Sequence, residues 1–204
     1  MLKTLANILN SSILNLLKNQ PNILINTSET TMTEWNLGHH LANELKKYIF
    51  WLDNDLELTK GHYGNRRPDI VFHKRGIFSL DFLVIEVKKN QNDDQSDINK
   101  IKNNWMSGNL NYKYGAYINI WIDGYIGYVF DQQNNMQNIV QERKYINIPF
   151  VSNLEFDRFN NMILEIKEIE NNINENRNLD GLLNEKINII ENRWKEMIEN
   201  NIET

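Results

Sequence analysis

The sequence predicts an α/β (α+β) fold: a mixed β-sheet flanked by helices, followed by a C-terminal helical hairpin. Three observations carry this. Short β-type runs occur at Asp69–Lys74, Asp81–Lys89, Tyr114–Ile122 and Tyr125–Phe130. A helical pattern at 96–106 separates the second run from the third, so those two strands are expected to lie parallel, joined by a right-handed crossover. Beyond Asn153 the apolar residues Phe159, Ile163, Ile166 and Ile173, then Leu183, Ile187, Ile190, Trp194 and Met197, keep a four-three step. The break at 176–181 divides that step into two long amphipathic helices.

Taken in order, residues 2–18 place Leu2, Leu5, Ile8, Leu9, Ile13, Leu16 and Leu17 at helical spacing. This predicts a helix packed on the main domain, with a polar connector over 20–32. Residues 33–51 predict a second helix. Thr33 is its N-cap, and Trp35, Leu37, Leu41, Leu45, Tyr48 and Ile49 form its apolar stripe. Glu34 in its first turn either favours the helix dipole or turns inward as a site acid. Glu44 is expected to face solvent beside Lys46 or Lys47. An edge strand is expected over 55–63, with a turn at Gly61–Asn65. Ser96 or Asp94 is expected to cap the 96–106 helix, and Gly108 to end it. Asp123-Gly124 predicts a hairpin turn. The expected divisions are 1–32, a helix and connector; 33–150, the core; and 151–204, the helical hairpin.

The chemistry concentrates in residues 66–90, RRPDIVFHKRGIFSLDFLVIEVKKN. If the two runs pair about a centre between Ile77 and Phe78, Asp69 falls opposite Glu86. Strand side chains alternate, so Glu86 and Lys88 share one face while Ile85 and Val87 take the other. The run Leu83–Val87 is almost wholly apolar, as in a strand buried on both faces. An acid at its end is partly withdrawn from water, where an unpaired charge is costly. The bland alternative is a strand end whose charges simply solvate. Two carboxylates on adjacent strands also make a hard oxygen site suited to Mg²⁺, which takes one or two carboxylates plus waters and phosphate oxygens. A lysine one strand step away can stabilise charge on a pentavalent phosphorus, and can orient or help deprotonate a water. Arg66, Arg67, His73, Lys74 and Arg75 form the one dense basic neighbourhood, expected either to contact phosphates or to balance nearby acids.

Composition sets bounds. The chain has 204 residues and a net charge of -5. It is no general polyanion binder, so any nucleic-acid contact must be a local basic patch. It contains no cysteine, which excludes disulfides, cysteine-bound zinc and thiol catalysis, and fits a reducing cytoplasm. No stretch has the length of a membrane span, and the N-terminal apolar run is a poor signal peptide. The expectation is a cytoplasmic protein with no membrane partner. His39, His40, His62 and His73 lack zinc-ligand spacing.

Pro68-Asp69, sixteen residues, then Glu86-Val87-Lys88 resembles the PD-(D/E)xK nuclease superfamily, the restriction-endonuclease-like fold. The order of elements also resembles it: acid-bearing helix, hairpin with the motif, helix, strand. The resemblance covers about residues 33–130, and RRPD and EVKK resemble small stand-alone bacterial or archaeal members. It implies that Asp69 and Glu86 bind Mg²⁺ (or Mn²⁺), with the Val87 carbonyl completing the site. It further implies Lys88 as catalytic lysine and Glu34 as the helix acid. Lys100 on the next helix, and Lys89, are candidates for nucleic-acid contact.

The expected function is therefore metal-dependent phosphodiester hydrolysis in nucleic acid, with DNA the expected form. The alternative is a catalytically silent module of the same fold that binds nucleic acid or scaffolds. Its C-terminal helices would then assemble a homodimer.

Overall fold

The computed structural model describes residues 1–24, 34–57, 67–89, 95–107, 110–139, 152–173 and 180–202. Arg66, Thr33, the turn at Gly61–Asn65, Asp94 and Gly108 lie outside them. The order of elements is α1 (Leu2–Asn19), α2 (Glu34–Lys46), β1 (Asp53–Leu56), β2 (Ile70–His73), β3 (Leu83–Lys88), α3 (Gln95–Lys100), β4 (Tyr114–Trp121), β5 (Gly124–Asp131), β6 (Met136–Asn138), α4 (Asn153–Ile173) and α5 (Asp180–Glu199). A 3-10 turn, Phe78–Leu80, precedes β3, and a π-helical turn, Ile101–Trp105, continues α3.

The strands form one mixed sheet in the order β1-β2-β3-β4-β5-β6. Only β3 and β4 run parallel, joined across α3 as the crossover pattern predicts. β2 and β3 pair Ile70 with Ile85 and Phe72 with Leu83. That register, continued by one residue, sets Asp69 opposite Glu86, as the sequence led us to expect.

Alternation along β3 divides the interior. Leu83, Ile85 and Val87 join a large cluster with α1, α2, α4 and α5. Val84 faces the other way, toward Val71, Ile101, Trp105, Tyr112 and Tyr117. The sheet is thus covered on one face by four helices and on the other by α3 and its π turn. α4 and α5 run antiparallel, since Lys186 meets Glu165 while Arg193 lies over Phe159. Their apolar stripes are spent inside the chain. Trp194 is fully buried, its ring 5.6 Å from Phe82 and 5.9 Å from Trp51, and its indole N–H donates to the Tyr48 carbonyl at 2.9 Å. Outward apolar side chains remain at Leu164, Leu182 and Ile189.

Several local expectations are corrected. α2 ends at Lys46 rather than at residue 51. There the amides of Tyr48 and Ile49 both turn back to the Leu45 carbonyl, and Tyr48, Ile49, Trp51 and Leu52 are drawn into the core. Glu44 is buried, not solvent-facing, though its partner is Lys47 at 2.5 Å. β1 begins at Asp53, two residues earlier than expected. The hairpin loop between β4 and β5 is Ile122-Asp123, because the ladder pairs Gly124 with Trp121. Neither loop residue has the left-handed backbone that Asp-Gly signals. Helix α3 starts at Gln95, so Ser96 lies inside its first turn. β6 carried no recognisable strand pattern.

Gly115 on β4 is required by close packing. A Cβ there would stand 2.3 Å from Ile101 Cγ2 and 2.5 Å from Met106 Sδ. The glycine lets the π turn lie directly on the sheet, which fixes the height of its side chains over β3.

Candidate active site

Asp69 precedes β2; its backbone carbonyl accepts the Glu57 N–H at 3.2 Å on the β1 side, so only its side chain reaches toward β3. The carboxylate takes over the ladder's role: Oδ2 accepts the Val87 N–H at 2.7 Å. A strand residue's N–H and C=O project toward the same neighbour. The Val87 carbonyl therefore also faces the β2 side, where the ladder has stopped. Asp69 is half-buried, and burial raises its carboxyl above the ordinary range despite the Val87 amide, with Glu34 adding to the rise.

Glu86 is only 2% exposed. Its Oε1 accepts the Trp105 indole N–H at 2.7 Å, and its Oε2 accepts from Lys100 Nζ at 2.7 Å. Burial pushes its carboxyl up to about 7, and the Asp69 charge adds to the rise against the pull of Lys100. Trp105 and Lys100 are five residues apart. On a regular α-helix that spacing puts them about 140° apart. The π turn closes the gap: the Met106 N–H reaches back to the Ile101 carbonyl at 3.0 Å, and both side chains reach Glu86.

Lys88 lies one strand step further on the same face. Its Nζ is 3.4 Å from Glu34 and 3.3 Å from Asp97. Burial lowers its pKa, but the two carboxylates outweigh that and raise it. Lys88 is therefore held as an ammonium. Lys89 follows it; burial lowers its pKa against the opposing charge of Glu34.

The structure thus brings Asp69, Glu86, Val87, Lys88, Glu34 and Lys100 together at the carboxyl end of β3. It gives two of them roles not foreseen. Glu34 reaches the site through Lys88, and Lys100 holds Glu86 rather than standing clear for a phosphate. Sequence reasoning missed Asp97 and Trp105. Asp97 carries one signal, helical spacing: it and Lys100 are neighbours at i, i+3, a pattern that can match Glu86 and Lys88 on the strand with charges reversed; Trp105 carries none.

Most of the basic neighbourhood is elsewhere. His73, Lys74 and Arg75 sit at the far end of β2 from Asp69. His73 is buried, with Nε2 2.8 Å from Asp55 and Nδ1 3.6 Å from Asp81. Lys74 lies 3.9 Å from Asp53, and Arg75 pairs with Asp55. Each of the three thus has an acidic partner on β1 or at Asp81, the charge-balance arrangement that was the other expectation for them. Arg67 adjoins the site and approaches Glu57 at 3.8 Å.

Comparison with protein-family models, curated proteins and solved structures finds no match to the chain.

The donors at Asp69, Glu86 and the Val87 carbonyl are all hard oxygens. Among the described residues no group of three or more His, Asp or Glu side chains is spaced to hold a metal ion. Two adjacent carboxylates nonetheless have the donor chemistry of an Mg²⁺ or Mn²⁺ site, since these ions take one or two carboxylates and fill the rest of their shell with waters and substrate oxygens. Burial is what chiefly raises both carboxyls, against the pull of Lys100, and a divalent cation would favour their charged forms.

A cleft lies at the other end of the sheet. Its volume is about 560 Å³, and it is lined by residues including Lys113, Tyr114, Asp131 and Glu191. It shares no residue with the Asp69–Glu86 site. Among the described residues, no helix is long and apolar enough to cross a membrane.

Proposed function

We propose that the chain is a divalent-metal-dependent nuclease of the restriction-endonuclease-like fold, hydrolysing phosphodiester bonds, with DNA as its substrate. One observation carries the reading: Asp69 and Glu86 oppose each other across β2 and β3, with Lys88 one strand step beyond. Asp69, Glu86 and the Val87 carbonyl would hold Mg²⁺ or Mn²⁺. Such an ion lowers the pKa of a bound water and polarises the phosphoryl group.

The chain's own residues divide the remaining work. Trp105 fixes the orientation of Glu86 through Oε1. Glu34 and Asp97 favour the charged form of Lys88. Its part is to stabilise negative charge on the equatorial phosphate oxygens as it develops. Of the two roles expected for this lysine, the geometry favours the electrostatic one over water deprotonation.

The test is cleavage of labelled duplex, single-stranded and branched DNA, and of RNA, in Mg²⁺, Mn²⁺ or EDTA. Asp69→Ala and Lys88→Ala are run in parallel. Metal-dependent cleavage lost in both variants is the expected result. Equal cleavage by wild type and both variants would reject the reading.

A further inference from the structure

Lys100 is the feature that the proposed chemistry leaves unexplained. Its ammonium stands 2.7 Å from Glu86 Oε2, on the carboxylate that the proposed ion must reach. The second oxygen is taken by Trp105. A carboxylate has further lone pairs, so counting acceptors does not by itself forbid a metal. Charge does: an ammonium and a divalent ion on one buried oxygen repel at close range, with little water between them.

The two partners of Glu86 differ in freedom. Trp105 is fully buried and packed under β4, so it stays. The Lys100 side chain is 27% exposed, and a flexible stem carries its charge. From the same position it lies 5.8 Å from the Trp105 ring centroid, so the indole face attracts the ammonium as well.

We propose that Lys100 is a tethered cation that occupies Glu86 until a divalent metal ion displaces it. This rests on the metal reading of Asp69 and Glu86. The neighbouring pair has the opposite sense. Asp97, one turn earlier on α3, holds Lys88 at 3.3 Å. The helix therefore neutralises both strand charges crosswise. Metal binding breaks one of the two pairs and leaves the other, so Lys88 stays in place while Lys100 is freed toward solvent. There it faces an incoming phosphate. Lys100 is thus a positioning residue for the empty site.

The test is calorimetric titration of the full chain with Mn²⁺, using wild type, Lys100→Met, Lys100→Arg and Asp69→Asn. Circular dichroism checks that each variant is folded. Lys100→Met is expected to bind roughly tenfold more tightly or better, the scale on which one hydrogen bond to a charged group moves an equilibrium. Lys100→Arg keeps the competing charge and is expected to stay near wild type. Unchanged or weaker binding by Lys100→Met overturns the proposal while leaving the metal site standing. Absence of wild-type binding that Asp69→Asn abolishes overturns the metal reading, and this proposal with it. Should Lys100→Met not fold, wild type decides through the ¹⁵N-lysine ammonium resonance assigned by its loss in Lys100→Arg. Its disappearance on adding Mg²⁺ supports displacement, and its persistence overturns it.

Discussion

Asp69 Oδ2 accepts the Val87 N–H at 2.7 Å, so a side chain continues the link between β2 and β3 past the Ile70–Ile85 pair, while the Asp69 carbonyl bonds Glu57 on the β1 side. That bond ties the two motif strands together at the site itself. It also directs the Val87 carbonyl toward Asp69 and leaves the Glu86 side chain to α3.

Glu86 makes the metal-free protein sensitive to pH. Its carboxyl rises from an ordinary 4.5 to about 7, so the folded chain binds a proton there more tightly than the unfolded chain. The associated stability is fully present below about 4.5 and is lost as pH rises through about 7, on the order of 3 kcal/mol. Asp69, also raised, contributes with the same sign. In EDTA, Glu86→Gln is expected to flatten the decline in thermal midpoint between pH 5 and pH 8. An unaltered pH profile would contradict this.

Asp97 holds Lys88 from the helix side. Asp97→Asn keeps the shape and removes the charge. The lysine then loses one of its two carboxylates and its fixed position. Cleavage is expected to slow by roughly tenfold or more through kcat, with KM little changed, because the contact matters most as charge develops on the phosphate. Lys88→Ala should fall further, and the gap between the two variants measures what positioning adds.

His73 is flanked by Asp81 and Asp55. The Asp81 carboxylate beside the ring raises its pKa most, against the opposing effect of burial, and Asp55 adds to the rise. A raised histidine lends stability fully below its ordinary value near 6.5 and loses it as pH climbs through the folded value. Its ring resonances, followed by NMR, should titrate above 6.5 in wild type and shift downward in Asp81→Asn. Titration of the wild-type ring below 6.5 would reject the arrangement.

Trp194 joins α5 to the central core through Trp51, Phe82 and the Tyr48 carbonyl. Trp194→Ala should cost about 3–5 kcal/mol in chemical unfolding, the usual range for a buried aromatic truncated to alanine. A chain ending at residue 150 should lose cooperative unfolding, because it uncovers the α1 and α2 face. If that shortened chain unfolds cooperatively, the C-terminal helices are dispensable for the core.

The sequence by itself determined the mixed α+β architecture, the parallel crossover, and the opposition of Asp69 and Glu86. Alternation has a period of two, so one apolar face fixes which side Glu86 and Lys88 occupy, and the turn centre fixes the register. What it left open depends on packing between distant segments. That Glu34 meets Lys88 at 3.4 Å depends on where α2 lies over β3. His73, Lys74 and Arg75 read as a basic patch because a sequence lists charges without their partners, and Asp53 and Asp55 arrive only when β1 pairs with β2. Lys100 and Trp105 meet at Glu86 only through the π turn, which rests on the space left by Gly115. Periodicity cannot show that turn, since a π turn breaks the very period by which helices are read. Motif letters and strand register were thus local properties, whereas the pairing of every charge around them was decided by the tertiary structure.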